Sequence, residues 1–573
     1  MISLNYRKRL LLLQVIGWAF FLIAANAYTF PPAEAPSSSQ PDFLLVNAEQ
    51  FSSNLPIIVI DTYGQTIVDP YRIEADMGII YNGPGNRNYL TDPYNDYNGQ
   101  IGIELRGSTA LQFPKQPYRL ETHDSLGQDI NVSLLGMPID NDWVLHNPYS
   151  DKTFIRNVLA YKIANDLGQY ASRSRLCELF LNGQYEGVYV LLEKIKRDKN
   201  RVNIADLDST DLDGDKVTGG YILKIDKTEG EQLGGWRSAN NVNYQYHYPA
   251  PDEIMPQQEQ YIQNYMSRFE QLVLSPGYAD PDTGYTSMVD LNSFVDFFLV
   301  NEISRNIDGY RLSSFMYKNR DDKDGRLKMG PVWDFNLAFG NANYYYGWGT
   351  QGWNLQLLID NTQGDFEVPF WWGIIANDAA FQNLLAQRWV ELRANELKTE
   401  TLLEFIDAMA DTLAEAQVRN YKRWPEALGN YVWPNFMCGY YYEEEIEFLK
   451  EWLTERLRWM DSMIILPELK SDIELNSTIV PVAFSLAQNY PNPFNSQTVI
   501  EFSLDKSSFT SIEIFNLLGQ KVKTLVQSSL AAGKHRIVWN GINDSGKAIT
   551  AGIYTYRIHS DSGVLYKKMV FVE

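Results

Sequence analysis

Two aspartates, Asp308 and Asp334, hold positions in the sequence that suit phosphoryl transfer. That reaction needs one carboxylate to accept or orient the proton of the attacking hydroxyl and another to hold magnesium on the phosphates. The two residues are 26 positions apart, so the chemistry requires a fold that brings them together. The same aspartates could instead cap turns or pair with Arg305 and Arg311, and their spacing alone leaves this alternative open.

The elements around these two aspartates predict such a fold. An apolar helix is expected over 290–303, and a strand over 313–319 follows it. A polar turn over 321–325 ends in Asp-Gly and leads into a returning strand over 326–333. In an antiparallel hairpin the start of one strand lies beside the end of its partner. The hairpin is therefore predicted to place the two carboxylates at the same end of a sheet.

The chain up to residue 470 is predicted to have an α+β fold, because its strands come first and its helices later. Apolar or alternating segments indicate strands at 57–60, 101–105, 176–182, 188–192 and 219–225, and helical spacing indicates helices near 150–163 and across 378–465. Beyond Asn476 the composition changes to short alternating strands separated by turn residues. This pattern predicts a small all-β sandwich at the C-terminus.

Four segments, in the same order along the chain, resemble the signature of the CotH (spore-coat protein H) kinase-like family. They read IGIELRGSTALQFPKQPYRLE, LLGMPIDNDWVLHNPYSDKTFIRNVLAYKIA, CELFLNGQYEGVYVLLEKIKR, and NEISRNIDGYRLSSFMYKN followed by GRLKMGPVWDFNLAFGNANY. The resemblance covers roughly residues 55–466 and implies an atypical protein-kinase-like domain over 46–470. Family members resemble kinases that transfer the γ-phosphate of ATP to Ser or Thr of proteins. The resemblance therefore implies ATP and Mg²⁺, or Mn²⁺, as cofactors and a protein as substrate.

By this resemblance, Asp308 matches the catalytic aspartate and Asp334 matches the magnesium-binding aspartate. Asn336 is a candidate for a further metal ligand. Five residues after Asp308, where typical protein kinases have a metal-binding asparagine, this chain has Ser313. A hydroxyl is a poorer magnesium ligand than an amide oxygen or a carboxylate. This departure keeps a second hypothesis open, namely a catalytically inactive cell-surface or extracellular assembly or binding protein on the same fold.

Lys115 is the best match for the lysine that neutralises the ATP phosphates, and Arg106 and Glu193 are assigned to the ATP site with it. Lys115 could instead be an ordinary surface lysine at the end of a hairpin, and Glu193 could pair with a lysine. The sequence has no glycine-rich loop of the usual kinase form, because Gly107 stands alone before Phe113.

The composition excludes some partners and sites. A formal net charge of −22 argues against nucleic acid as a partner, because phosphate binding needs clustered Lys and Arg. Two cysteines, Cys177 and Cys438, exclude a disulfide scaffold and a Cys-based zinc site. They could pair with each other or remain free thiols. The five histidines show no metal-ligand spacing and no evident Cys or Ser partner.

The N-terminus has the layout of a secretory signal peptide over residues 1–27. A basic start at 7–9 precedes an apolar run over 10–25 and the small residues Ala25-Asn26-Ala27. A linker rich in Pro, Ala and Ser is assigned to 28–45. The apolar run is short for a membrane span, so no stable transmembrane segment is expected after cleavage, although a retained anchor is the alternative. The expected location is outside the cell or on its surface.

The C-terminal sequence, assigned to a domain over 471–573, resembles a type IX secretion sorting domain with an immunoglobulin-like sandwich. The resemblance rests on AQNYPNPF at 487–494, GIYTYRI at 552–558, and Lys567-Lys568-Met569 followed by apolar residues. It implies a Bacteroidetes-like secretion route with the secretion machinery as a partner. An ordinary accessory sandwich domain is the alternative.

Overall fold

A computed structural model describes residues 50–227, 234–362, 364–464, 484–495, 497–516, 520–530, 532–544 and 547–572. The chain divides into two compact units, residues 1–465 and 466–573. Helices make up 28% and strands 29%, which confirms a mixed architecture with a C-terminal all-β region. The predicted signal peptide, the predicted linker and the predicted boundary at 470 all lie outside the described residues and stay predictions.

The strands of the first unit are β1 (Ser52–Ser53), β2 (Ile57–Asp61), β3 (Ile73–Ile80), β4 (Asn88–Tyr89), β5 (Tyr97–Leu105), β6 (Tyr118–His123), β7 (Asp142–His146), β8 (Ser174–Leu181), β9 (Gln184–Glu193), β10 (Tyr221–Ile225), β11 (Gly235–Arg237), β12 (Asn243–Tyr248), β13 (Ser314–Lys318) and β14 (Leu327–Met329). Its helices are α1 (Arg156–Asp166), α2 (Pro256–Leu274), α3 (Leu291–Ser304), α4 (Asn354–Asn361), α5 (Phe370–Ile375), α6 (Ala379–Ala394), α7 (Thr399–Arg423) and α8 (Tyr442–Met463).

Seven of these strands form a closed barrel in the order β2-β3-β5-β6-β7-β9-β8. Neighbouring strands are antiparallel except β2 and β8, whose parallel pairing closes the barrel. Alternate residues point inward because successive side chains of a strand face opposite sides. The interior is consequently filled by apolar side chains such as Ile101, Ile103, Leu120, Trp143 and Leu191.

A five-stranded sheet, β11-β12-β10-β13-β14, carries the hairpin that the sequence predicts. Helix α3 is buried on nearly all sides, as its apolar composition requires, and it ends where Arg305 adopts a left-handed conformation with φ 48°. Strands β13 and β14 pair in the register Met316↔Met329 and Lys318↔Leu327. The returning strand ends earlier than predicted, because Pro331 has no N–H to donate to the ladder.

The second unit is a sandwich of two antiparallel sheets. Its strands are β15 (Ser485–Leu486), β16 (Thr498–Leu504), β17 (Ser508–Asn516), β18 (Lys521–Leu530), β19 (Gly533–Trp539), β20 (Gly552–Ser560) and β21 (Gly563–Phe571). One sheet has the order β15-β16-β19 and the other β18-β17-β20-β21. Inward side chains of both sheets, including Ile500, Ile512, Trp539 and Tyr556, form the core.

Two further expectations concern cysteines and membranes. Cys177 is buried in the barrel, Cys438 is partly buried, and both are free thiols, so they do not pair. Within the described ranges, no helix combines the length and apolar character needed to cross a bilayer.

Candidate functional site

The β13–β14 hairpin brings Asp308 and Asp334 into electrostatic contact, as the sequence predicts. Asp308 lies in the loop after α3, and Asp334 follows β14. Burial, and next the charge of Asp308, raise the pKa of Asp334 to about 6 from its ordinary 3.8. Burial also raises the pKa of Asp308, although Arg311 and Lys227 oppose the shift. The charge of Asp308 acts on the Asp334 carboxylate, and these two residues form the centre of the candidate site.

A third carboxylate, Asp226, completes what we call the acid cluster, which consists of Asp226, Asp308 and Asp334. Its negative charge raises the pKa of both other members. Asp226 follows β10, whose last residue, Ile225, lies opposite Ser314 at the start of β13. The sequence prediction missed Asp226, although the acidic residue directly after a buried strand was a usable signal.

Three basic side chains surround the acid cluster. Arg311 is almost fully buried, and its Nη2 lies 3.1 Å from Asp308 Oδ1. Arg106 and Lys227 oppose the rise in the pKa of Asp334, and Lys227 Nζ donates to Thr109 Oγ1 at 3.2 Å. The predicted alternative of an arginine pair is therefore correct for Arg311. The guanidinium of Arg305 donates to backbone carbonyl oxygens of residues 346, 351 and 352.

The backbone at Asp334 is held in an unfavourable conformation by contacts from α1. Its φ of 65° is uncommon for a residue other than glycine. Its N–H donates to the Tyr161 hydroxyl at 3.3 Å, and the next N–H, that of Phe335, donates to Asn157 Oδ1 at 2.6 Å. The preceding side chain, Trp333, stacks on Tyr161 with ring centroids 6.0 Å apart. Strained residues that the surroundings over-determine in this way are concentrated at functional sites.

A comparison with protein-family models decides the family. The model described as CotH kinase protein matches residues 103–460, which is more than half of the chain and includes the whole acid cluster. The chain belongs to the CotH kinase family. A second model, the FlgD Ig-like domain, matches residues 492–563 within the sandwich.

Other comparisons with known proteins add little to the CotH assignment. A search of curated proteins found no match. Among solved structures, dimeric latent PorU from Porphyromonas gingivalis is 21% identical over 15% of this chain and 9% of its own, with a TM-score of 0.14. FlgD from P. aeruginosa is 19% identical over 13% of this chain and 58% of its own, with a TM-score of 0.12. The chain thus spans under two thirds of either relative, and these TM-scores are too low to indicate a shared fold.

Arg106 is the member of the predicted ATP-binding set that the structure brings to the CotH acid cluster. Its guanidinium lies over the Trp333 ring, 5.4 Å from the centroid. Its positive charge acts on both Asp334 and the neighbouring Tyr161. Asn336 is two residues after Asp334 in the sequence, and its Nδ2 donates to Ser150 Oγ at 3.3 Å. The ATP role of Arg106 and the metal role of Asn336 stay predictions.

Lys115 is not part of the acid cluster, which corrects its assignment to the ATP phosphates and also the surface alternative. Its ammonium group is buried in the wall of the barrel. Nζ donates to the Val188 carbonyl and, at 2.9 Å, to Asn420 Oδ1 on α7, and it lies 4.7 Å from the centroid of the Tyr189 ring. A phosphate could reach it only if α7 moved away from the barrel. Lys115 therefore joins α7 to the barrel.

Replacing Lys115 by methionine is expected to change how stability depends on pH. Burial lowers the pKa of Lys115 to about 7, so between pH 7 and about 10.4 the unfolded chain holds a proton that the folded protein lacks. Wild-type stability should therefore rise through this window relative to Lys115→Met, by up to about 1.4 kcal/mol per pH unit. Urea unfolding at pH 7 and pH 9 measures the difference, with exposed Lys398→Met as the control. Parallel pH profiles would contradict the assignment.

Glu193 is likewise a structural residue, which corrects its assignment to the ATP site. Its carboxylate is fully buried and accepts two hydrogen bonds from Arg173 Nη1, at 2.8 and 3.1 Å. The Tyr170 hydroxyl donates to it at 3.1 Å. Its partner is thus an arginine, not the lysine that the sequence suggested.

Proposed function

We propose that this CotH protein transfers the γ-phosphoryl group of ATP to a Ser or Thr hydroxyl of a protein. The observation that supports the proposal is the convergence of Asp308 and Asp334 at one end of the hairpin, where the charge of Asp308 raises the pKa of Asp334 and both charges act on Tyr344. The surrounding Arg106 and Lys227 offer positive charge for a polyphosphate. Because phosphoryl transfer depends on positioning and charge stabilisation, this arrangement contains the groups that the reaction needs.

In this proposal a divalent cation binds at the acid cluster, because all three of its members are carboxylates. Burial raises the pKa of Asp334 to about 6, with further contributions from the charges of Asp308 and Asp226, and a bound cation would offset this negative charge. Asp334 and Asp226 would hold Mg²⁺ or Mn²⁺, with Asn336 as a further candidate ligand. When bound, the ion would neutralise charge on the phosphates. Oxygen ligands of this kind are those that magnesium prefers.

The side chains of the protein have separable roles in the proposed reaction. Asp308 accepts the proton of the attacking hydroxyl as that oxygen forms its bond to the γ-phosphorus and the bond to the ADP oxygen breaks. Arg311, at 3.1 Å, orients the Asp308 carboxylate. Arg106 and Lys227 hold phosphate oxygens. Tyr161 and Asn157 fix the backbone on which Asp334 is presented.

The direct test is incubation of the full chain with γ-labelled ATP and Mg²⁺ or Mn²⁺. We expect label on protein, either on the chain itself or on an added acceptor, and an increase in melting temperature with millimolar nucleotide and metal. If neither label nor a thermal shift is observed, the proposal is overturned. That outcome would instead support the catalytically inactive assembly or binding protein, which the serine at position 313 leaves open.

We also propose that the protein is exported. The signal peptide lies outside the described residues, and the matched sandwich model is an FlgD Ig-like domain. Secretion to the surface or the medium by a type IX route therefore stays a prediction, which rests on the terminal sequence motifs. An exported kinase would require ATP outside the cytoplasm or would act during transit.

A further inference from the structure

A group of potential metal ligands lies on the barrel, separate from the acid cluster. It consists of Glu121, His123 and Asp129, whose ligand atoms all lie within 4.8 Å of one another. Glu121 and His123 are two residues apart on β6 and therefore point to the same side. A short turn after β6 then places Asp129 opposite His123 in an antiparallel bridge. Leu120, directly before Glu121 on the strand, belongs to the barrel core, so Glu121 and His123 face outward.

We propose that Glu121, His123 and Asp129 bind one zinc ion, which ties the turn after β6 to the barrel. An imidazole with two carboxylates is a ligand set that zinc accepts, and three protein ligands leave the fourth tetrahedral position to water. The site is reachable because the Asp129 side chain is 59% exposed, whereas His123 is only 7% exposed. The sequence prediction missed the site because it looked for histidines paired with Cys or Ser and did not consider carboxylates.

The orientation of the His123 ring supports metal binding. Its Nδ1 lies 3.2 Å from Glu74 Oε2, and metal-ligating histidines commonly donate their other ring N–H to a carboxylate in this way. Its Nε2 then faces Asp129 Oδ1 at 3.4 Å and Glu121 Oε2 at 4.0 Å. Two ligands about 2.1 Å from a tetrahedral zinc are about 3.4 Å apart. The first distance fits this value, and a small rotation of the Glu121 side chain would bring the second close to it.

Gly102 makes room for this arrangement. Glu74 on β3, Gly102 on β5 and Glu121 on β6 lie side by side across three neighbouring strands. A Cβ at Gly102 would lie 2.8 Å from His123 Cε1 and 2.2 Å from Arg72 Cδ, which are distances that real Cβ atoms do not show. The missing side chain therefore lets the imidazole lie across β5 and reach Glu74 on the far strand.

The site lies among several charged side chains. Glu104 and Glu121 form ion pairs with Arg72, and Glu104 also pairs with Arg119. Asp142, which lies opposite Glu121 on β7 and pairs with Lys194 and Lys196, also acts on Glu121. Arg72 contacts Glu121 Oε2, so zinc would compete with this guanidinium for the carboxylate.

The test is calorimetric titration of Zn²⁺ into the full chain after treatment with a chelator. We expect one high-affinity zinc per chain, at least about 100-fold weaker binding in His123→Ala, and about 10-fold weaker binding in Glu74→Gln, which loses only the orienting carboxylate. Asp129→Asn, at an exposed position, should weaken binding without affecting the fold. His559→Ala, an exposed histidine of the second unit, is the matched control and should bind like the wild type.

Two outcomes would overturn the zinc site: no binding by the wild type, or equal affinity in the wild type, His123→Ala and Asp129→Asn. Asp308→Asn should retain the zinc stoichiometry, which separates this site from the proposed phosphotransfer centre. Failure of either proposal therefore leaves the other standing.

Discussion

Asp334→Asn is expected to reduce γ-phosphoryl transfer by at least about 100-fold, because it removes a charge that the proposed reaction needs at the acid cluster. The substitution preserves the shape of the side chain, so the loss should appear in the turnover rate and not in the folded fraction. Transfer of label from γ-labelled ATP measures it. Asp322→Asn, in the exposed turn of the same hairpin, is the matched control and should retain full activity.

The same variant should be as stable as the wild type or more stable, which distinguishes a catalytic role from a structural one. The pKa of Asp334 is about 6, above its ordinary 3.8, so at pH 7 keeping its carboxylate ionised costs folding free energy. A neutral amide avoids this cost, and we expect a gain of about 1–3 kcal/mol at pH 7. A large loss of stability together with the loss of activity would show that Asp334 is a structural residue.

Glu302→Ala is expected to destabilise the first unit by about 3–5 kcal/mol, because it leaves Arg456 buried without its charge partner. Both side chains are fully buried, and Arg456 Nη2 lies 2.9 Å from Glu302 Oε2. The Glu302 carboxylate also accepts the N–H groups of Asn354 and Leu355, at 2.7 and 2.8 Å, at the N-terminus of α4. One carboxylate thus joins α3, α4 and α8 just before the loop that carries Asp308.

Urea or thermal unfolding of the full chain measures this effect, with the transition of the first unit followed separately. Glu447→Ala is the control, because that glutamate lies on the exposed side of α8. Its effect should stay within about 0.5 kcal/mol. A loss below about 1 kcal/mol in Glu302→Ala would contradict the importance of this buried pair.

The local sequence pattern predicted the hairpin and the convergence of Asp308 and Asp334. The Asp-Gly turn and the apolar helix before it specify where these two residues must meet. Asp226, the third acid, was harder to predict. It reaches the cluster only because β10 pairs with β13, and in that pairing Ile225 lies opposite Ser314, which is 89 residues later in the sequence. Non-local pairing of this kind leaves no mark on local sequence periodicity.

The positions of the basic residues were even harder to predict from the sequence. Nothing in the sequence around Lys115 indicates that Asn420, 305 residues away, will cover it. A lysine beside an Arg-Gly-Ser segment suggests a phosphate contact, whereas the packing of α7 against β9 decides that it is buried. Arg106 is only nine residues earlier, directly after the end of β5. It reaches the acid cluster because its guanidinium lies over Trp333, the residue before Asp334.

The parallel pairing of β2 with β8 has a consequence for the chain during its synthesis. Ile57 pairs with Glu178, so one edge of β2 has no partner until about 120 further residues have left the ribosome. At ~5–20 residues per second this takes roughly 6–24 seconds, during which a hydrophobic strand edge is open to other chains. A nascent-chain chaperone that covers residues 57–60 would therefore raise the yield of folded protein without touching the finished barrel.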